Sequence, residues 1–421
     1  MPDARTPPDP AFDFVVIGGG AAGFFAAARA AGLAPADARI AILEQGPRPL
    51  QKVRISGGGR CNLTHAEFDP RALARHYPRG ARELLGPLHR FGPGDTLAWF
   101  ADRGVDTVTE ADGRVFPRSN TSASVIGALL DEVRARGVQL LTSAKVLDLT
   151  RRDGGFAVRL KTRVLHARNV LLATGSAPRA YEWLRDLGAP IVPPVPSLFS
   201  LNIPSPALHE CQGLSVGDAL VRVRGFPATS RGSLLVTHWG LSGPAVLKLS
   251  ALAARHLHAR DYRTDATVSW TGDSVEAVAA YLQAARRQAG GTTVARALGL
   301  PLPRRLWGYL LSRAGLRPTA RWADASKADL RALATAVAAD VYPVRGQTRF
   351  KDEFVTAGGL DLRAVDFRTF ELRGVPGLFA AGEVLDVDGV TGGFNFQAAW
   401  TGGYLAGTAV GERLAAAAAS T

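Results

Sequence analysis

An apolar run, Phe14-Val15-Val16-Ile17, ends directly in Gly18-Gly19-Gly20-Ala21-Ala22-Gly23, and no other feature so narrows what this chain can fold into. A short apolar run rich in β-branched residues reads as a parallel strand covered on both faces. Ala21–Leu33, which follows, is rich in alanine and free of proline, so it predicts a helix. Gly18, Gly20 and Gly23 carry G-x-G-x-x-G spacing across the join. In this order of parts Gly18 permits a tight turn, Gly20 lets backbone approach a pyrophosphate, and Gly23 lets helix pack closely on strand. The N–H groups at the helix start, around Ala21 and Ala22, then face the phosphates with the positive end of the helix dipole behind them. A second apolar run, Arg39–Leu43, ends at Glu44, about 20 residues beyond Gly23, where an acid accepts hydrogen bonds from a ribose. Strand, turn, helix and acid together mark a dinucleotide site in an α/β fold. An ordinary glycine turn would not require the acid.

A chain of 421 residues has room for two or three domains. Its two cysteines, Cys61 and Cys211, stand far apart with no CxxC, which excludes a disulfide framework, a zinc ribbon and a dithiol mechanism. That usage suits a reducing compartment, and a cytoplasmic location is expected. No cluster with metal-ligand spacing stands out, so no metal is expected. Residues 1–10, MPDARTPPDP, read as a disordered tail rather than a signal peptide. No uninterrupted apolar run reaches about 18 residues, so no spanning helix is expected. The formal net charge is +13, nearly all of it arginine. The arginines are scattered among alanines and aspartates, with no dense block and no basic stripe interleaved with aromatics. The pattern favours a solvated basic surface over a nucleic-acid partner.

After Glu44 the segment Gly46–His65 carries Lys52 and Arg54, then Ser56-Gly57-Gly58-Gly59-Arg60-Cys61-Asn62. Three consecutive glycines suit neither helix nor strand but suit a loop lying against a flat or charged ligand. Residues 70–104 read as helical, punctuated by prolines. Residues 105–110 and 114–117 read as a hairpin, Thr121–Arg136 as an amphipathic helix and Val138–Leu149 as a strand. Asn169–Leu172 returns to the parallel sheet and ends in Ala173-Thr174-Gly175. The proline-rich stretch 190–196 predicts a domain boundary. Short β-like runs follow, then Thr237–Pro244 leading into a helix with Ser242 as its expected N-cap. A mostly helical stretch, 274–340, comes next, and 350–360 returns as β. The last parallel strand, Gly377–Ala381, ends in Gly382-Glu383, and a glycine-rich loop precedes a final helix from Phe394. A helix N-terminus at Gly392-Gly393-Phe394-Asn395 would aim backbone N–H groups at a ligand that becomes anionic.

These motifs place the chain in a family. GGGAAG at Gly18–Gly23, KVRISGGGRCN at Lys52–Asn62, GRVFPRS at Gly113–Ser119, THWGLSGPAVL at Thr237–Leu247, TAGGL at Thr356–Leu360 and GEVLDVDGVTGGFNFQAAW at Gly382–Trp400 resemble the aminoacetone-oxidase-like FAD proteins, which include bile-acid-reductase-like members. The resemblance runs along nearly the whole chain. It implies one non-covalent FAD held by a Rossmann-type domain, similar to two-dinucleotide-fold flavoproteins, with an inserted β-barrel-like subdomain and a helical subdomain. The implied boundaries are 11–195 and 345–421 for the FAD domain, 196–272 with about 341–355 for the β-rich insertion, and 273–340 for the helical one. The resemblance sets Val146 beside the adenine and makes Thr174-Gly175 a second nucleotide-side contact. The family follows that contact with another glycine-rich turn, where this chain has Ser176-Ala177-Pro178-Arg179.

FAD rather than NAD is expected because both ends of an extended dinucleotide find residues. Gly18–Gly23 and Glu44 hold one end. Lys52, Arg54, Gly58, Gly59, Arg60, Cys61 and Asn62, with Gly382, Glu383 and Gly392–Asn395, meet the other. No second G-x-G-x-x-G occurs, so NAD(P)H is expected only as a transient donor, or electrons pass from substrate to oxygen. His238 is the candidate proton donor or substrate anchor, since an imidazole exchanges protons near neutral pH. Arg60 is a candidate for a substrate carbonyl as well as for the flavin. Three function classes follow. The first is an oxidoreductase moving hydride through flavin N5 to or from a small organic substrate. The second is an FAD-dependent RNA-modifying protein, for which only the charge speaks, and the third is a flavin-binding protein without turnover.

Overall fold

The computed structural model describes residues 12–348 and 355–420. The predicted tail at 1–10 and the first part of the predicted return at 350–354 lie outside the described residues. The chain divides into two compact units, Met1–Pro194 with Val355–Thr421, and Val195–Phe354.

The first unit is built on a parallel sheet. Its elements include β1 (Phe12–Ile17), α1 (Ala21–Ala31), β2 (Ile40–Leu43), α2 (Ala81–Arg90), β3 (Gln139–Leu141), β4 (Val164–Leu172), β5 (Leu378–Ala380) and α3 (Phe394–Ala419). The parallel strands lie in the order β5-β4-β1-β2-β3. Phe14 pairs with Ile40 on one side and Asn169 on the other, and Phe379 pairs with Leu171. The apolar strand residues are fully covered: Phe14, Val15, Val16, Ile42, Leu171 and Leu172 have no exposed surface. That accounts for their continuous apolar run, because helices cover a parallel sheet on both sides. Antiparallel pairs extend the sheet, with Asp148–Arg152 and Gly155–Arg159 joining the first half of β4. The predicted single strand 138–149 is therefore two. After β3 the chain turns through Ser143, with φ +52°, and its N–H groups at Ser143 and Ala144 bond to the carbonyls of Gly46 and Glu44.

α1 and α3 pack unusually close. A Cβ added at Gly403 would lie 2.4 Å from the carbonyl oxygen of Ala22, one at Gly407 2.4 Å from that of Ala26, and one at Gly411 2.9 Å from that of Ala30. Alanine every fourth residue on one helix thus meets glycine every fourth residue on the other, and backbone touches backbone. The residue numbers rise together, so the helices run parallel with both N-termini at the carboxyl ends of the strands. Phe25 fills the flank of this contact, its ring centroid 4.9 Å from that of Trp400 and 5.7 Å from that of Phe91.

The chain leaves this unit along Ile191–Ser197 and returns along Val355–Leu360, and these two strands pair. The proline-rich stretch read as a boundary forms a strand, and the division between the two units falls within it, between Pro194 and Val195. A two-stranded pair leaves each strand an outer edge, where missing proline N–H groups cost no ladder bond.

The second unit carries a seven-stranded antiparallel sheet in the order 340–345, 263–269, 215–223, 229–237, 240–242, 200–202, 347–348. Helices Val275–Gln288, Arg304–Arg313 and Lys327–Ala338 follow in the stretch read as helical. Trp270, Trp307, Trp322 and Tyr342 are buried in its core. Ser242 does not cap the helix Pro244–Leu252. It lies in a strand and accepts a 2.7 Å hydrogen bond from the Ser200 hydroxyl, while Gly243, with φ +89°, holds the cap position. Among the described residues no helix is long and apolar enough to cross a membrane.

Gly407→Val places methyl groups where the Ala26 backbone stands. The two helices must part, and the expected loss is about 3 kcal/mol or more, since overpacking against backbone cannot relax by rotamer change. A thermal melt of the variant reads this as a lowered midpoint, and a midpoint equal to wild type would show that the helices are not held at backbone contact.

Candidate cofactor site

The site is built where β1, β4 and β5 end. Gly18 has φ +114°, and a Cβ there would lie 2.3 Å from the carbonyl oxygen of Ala173, so the turn after β1 closes directly onto the end of β4. A Cβ at Gly23 would lie 2.2 Å from the Gly18 carbonyl oxygen, which fixes α1 onto the same turn. Gly20 differs from both. It is the N-cap of α1 with extended backbone, and a Cβ there would meet nothing within 4 Å. The turn therefore demands glycine at 18 and 23 for its own fold, and leaves open space at 20, where a phosphate would approach.

Glu44, at the end of β2, accepts the Gly19 N–H at 3.0 Å on one carboxylate oxygen and the Gly46 N–H at 2.7 Å on the other. Each oxygen keeps a second lone pair, so the acid is oriented by backbone and can still accept from a ligand hydroxyl. Val146 is buried in the segment that bonds to the end of β2. Gly175 follows β4 with φ +59°, and a Cβ there would sit 3.6 Å from a carboxylate oxygen of Glu383. Thr174 donates to the Gly175 carbonyl at 3.3 Å. Gly382 abuts α1, its added Cβ 3.3 Å from that of Ala22.

Both α1 and α3 begin at glycine with no side-chain cap. The first N–H groups of a helix have no partner inside it, so both ends attract negative charge. Since Ala22 lies level with Gly403, α3 begins about eight residues beyond α1 in the same direction, roughly 12 Å at 1.5 Å per residue. Two electropositive helix ends so offset suit an extended dinucleotide, with phosphates at the first and an electron-accepting ring at the second.

The loop Lys52–Asn62 is a short helix, Gln51–Ile55, followed by a tight turn in which Gly57, Gly58 and Gly59 all have positive φ. Gly58 and Gly59 face open space. Lys52 pairs with Glu383. Arg54 has a buried Nε with no partner, an orphaned donor that an anionic or carbonyl-bearing ligand would satisfy. The structure spends several of the predicted ligand residues on construction. Arg60 pairs with Glu110 at 2.8 Å and lies 3.8 Å over the Phe116 ring. Asn62 accepts the Gly393 N–H at 3.0 Å and donates to the Thr64 carbonyl at 3.1 Å, tying the loop to the start of α3. Asn395 accepts the Gly389 N–H at 2.8 Å and donates to the Gly389 carbonyl at 2.9 Å. Phe394 is buried and stacks on His76 and His65, at 4.2 and 4.7 Å. A Cβ at Gly392 would strike the Phe394 ring at 2.7 Å, and one at Gly393 the Thr64 carbonyl at 2.5 Å. Burial pushes the Cys61 thiol from its ordinary 9.0 up to about 12, against a smaller opposing effect from Ser56.

Other residues shape the site without a sequence signal of their own. Tyr181, on the helix Pro178–Asp186, has a buried hydroxyl with no partner, and its pKa is raised by burial and by the charges of Glu383 and Asp386. Asp386 accepts the Gly358 N–H at 2.8 Å. Arg79 forms a buried ion pair with Asp388. Tyr77 donates to the Phe394 carbonyl at 2.7 Å, and Gln397 is held by Thr64 and Thr96 at 2.6 and 3.0 Å. Tyr77, Arg79 and Gln397 find partners some 300 residues away, which no local pattern could announce. His238 belongs to the second unit, exposed, with its ring in edge contact with Trp239 at 4.2 Å. No group of three or more metal-ligating side chains occurs among the described residues.

Residues 12–409 match the family model described as HI0933-like protein Rossmann domain. The chain belongs to that family. A 3-dehydro-bile acid delta(4,6)-reductase from Clostridium scindens is 31% identical over 94% of this chain and 98% of its own length. A ribosomal RNA dihydrouridine synthase from Escherichia coli is 28% identical over 93% and 96%. Among solved structures, 3-ketosteroid delta1-dehydrogenase from Sterolibacterium denitrificans superposes with a TM-score of 0.53 at 12% identity, covering 96% of this chain and 99% of that one. 3-ketosteroid-delta4-(5alpha)-dehydrogenase from Rhodococcus jostii gives 0.51 at 16%, covering 97% and 99%. These two likenesses concern the fold. Family membership makes the chain an FAD-dependent oxidoreductase with a Rossmann FAD-binding fold. The open face at Gly20, the two uncapped helix ends and the orphaned Arg54 nitrogen fit that cofactor.

Gly20→Val should lose flavin while the flavin-free protein unfolds within about 1 kcal/mol of wild type, since a Cβ there meets nothing within 4 Å and the remaining cost is that of a poorer helix cap. Gly23→Val should instead lose about 3 kcal/mol or more. Absorbance at 450 nm against 280 nm and a denaturant titration separate the two, and normal flavin content in Gly20→Val would remove the phosphate from that position. Cys61 should resist iodoacetamide in the folded protein at pH 8 and react on unfolding, read by peptide mass. Because its pKa is raised on folding, its contribution holds below pH 9 and is lost between 9 and about 12, at about 1.4 kcal/mol per pH unit.

Proposed function

We propose that this protein reduces a carbon–carbon double bond conjugated to a carbonyl, taking hydride from NADH or NADPH as a transient donor. The observation that carries the reading is the offset pair of parallel, uncapped helix ends. The first anchors phosphates, and the second opposes the edge of a ring that gains negative charge when it accepts hydride. Bound FAD would supply hydride transfer through its N5. Gly18–Gly23 and Glu44 would hold the pyrophosphate and ribose, Gly382 and Glu383 the chain between, and Gly57–Asn62 with the start of α3 the ring. Arg54, with its unpaired Nε, would hold a ligand oxygen in place. His238 is the candidate proton donor.

The relatives support the direction of the reaction. One is named a delta(4,6)-reductase and the other a dihydrouridine synthase. Each name describes hydrogen added across a ring double bond, although the two molecules otherwise differ greatly. A carbonyl in conjugation polarises such a bond for hydride attack at one carbon and protonation at the other. A second reading, in which the double bond is a pyrimidine within RNA, is favoured by the net charge of +13.

In anaerobic stopped flow the oxidised protein should bleach at 450 nm with NADH or NADPH, then recover its colour with cyclohex-2-enone. Cyclohexene, which lacks the carbonyl, should leave it reduced. His238→Ala should slow the recovery roughly 10²-fold with flavin content unchanged. Bleaching by a primary amine instead, with no recovery on the enone, would replace this reading with an amine oxidase.

A further inference from the structure

Five arginines scattered in the sequence come together on the first unit. α2 contributes Arg82 and Arg90, and the segment 362–373 contributes Arg363, Arg368 and Arg373, around a cavity of about 590 Å³. All five are exposed. Only two carboxylates, Glu83 and Asp366, line the same cavity. Arg368 is taken up by Asp366 at 2.6 Å and Arg363 by Asp361 at 2.6 Å, each two residues away in sequence. Arg82, Arg90 and Arg373 make no ion pair among the described residues. Arg90 instead donates to the carbonyl of Arg368 at 2.5 Å, which bridges the two walls. Between them lies Phe367, half-buried, its ring in edge contact with Phe370.

We propose that this cavity docks the phosphate backbone of a looped or single-stranded RNA. Folding leaves an excess of positive charge on both walls, and exposed guanidinium groups meet a ligand lying across the mouth rather than one enclosed. Phe367, half-buried in the same lining, supplies an aromatic ring of the kind on which bases stack, and guanidinium groups with an aromatic ring are the combination that recognises unpaired nucleotides. A membrane surface fits less well, because the exposed large apolar residues of this unit, Phe68, Val108 and Val164, lie outside the cavity. None of its lining residues belongs to the cofactor cradle, yet α2 adjoins it in sequence. Arg79 and Gly80, just before α2, brace the loop ahead of α3 through Asp388 and Val387. A strand held on α2 would therefore lie beside the flavin loop. The choice of RNA over DNA rests on the reductase reading above, since uracil offers the conjugated double bond.

The test is fluorescence anisotropy on the flavin-loaded protein, with a labelled RNA hairpin carrying a uridine-rich loop, over a series of salt concentrations. Wild type should bind with a steep salt dependence. Arg82→Ala/Arg368→Ala/Arg373→Ala should weaken binding about tenfold or more at 0.1 M salt and lower the slope of log Kd against log salt by about two. Phe367→Ala should weaken binding with the slope unchanged. Unaltered affinity in the triple variant, no binding by wild type, or displacement of the hairpin by equimolar inorganic pyrophosphate would overturn the proposal. Recovery of flavin colour on cyclohex-2-enone, followed in the same triple variant and expected at the wild-type rate, keeps the two readings apart. Arginine-dependent binding without enone reduction leaves the docking site standing and removes the reductase, and the reverse result does the opposite.

Discussion

Everything at the cofactor site depends on how close α1 and α3 can come. Ala22, Ala26 and Ala30 present carbonyl oxygens where Gly403, Gly407 and Gly411 have no side chain, so the helix backbones touch along three turns. That contact sets the helices parallel and fixes the offset of their N-termini. It also brings Gly382 against Ala22, which joins the end of β5 to the turn after β1. A wider separation would leave each helix end a separate electropositive point. At this separation the two ends together suit one extended dinucleotide. Small residues here serve geometry twice, at the phosphate turn and along the helix seam.

Around that cradle, polar side chains mostly hold backbone rather than face a ligand. Asn62, Asn395 and Tyr77 each bind a loop to the start of α3, Gln397 ties α3 to the side chains of Thr64 and Thr96, and the Arg79–Asp388 pair joins two loops. Loops with many positive-φ glycines have little conformational preference of their own, so they need such braces to keep one shape. What remains unfilled or unpartnered is the space at Gly20, the first N–H groups of two helix ends, the orphaned Nε of Arg54 and the buried Tyr181 hydroxyl. Asparagine or arginine in a glycine-rich motif is therefore ambiguous in sequence. Its partner decides whether it meets a ligand or supports the loop, and that partner often lies hundreds of residues away.

Charge behaves the same way. Along the chain the arginines form no block and no stripe, and a solvated surface accounts for them. Folding sets α2 beside residues 362–373 and gathers five of them around one cavity. A local charge window cannot see this, because the two segments are more than 270 residues apart and meet only in the fold, where Arg90 donates to the Arg368 carbonyl.

The sequence by itself determined the parallel core, the first nucleotide turn, the acid at Glu44 and the terminal strand and helix. Each rests on a pattern contained within about 30 residues, where period, glycine spacing and proline placement act locally. It also carried the likeness to flavoproteins, through motifs spread from Gly18 to Trp400. Only the tertiary structure decided the split of residues 138–149 into two strands, the strand at 191–197, the cap at Gly243 and the duties of Arg60, Asn62, Phe394 and Asn395. Only it set the distance between the two helix ends, because that distance is the register of one helix upon another. Such a register depends on which small residues meet across the seam, a choice made between segments nearly 400 residues apart.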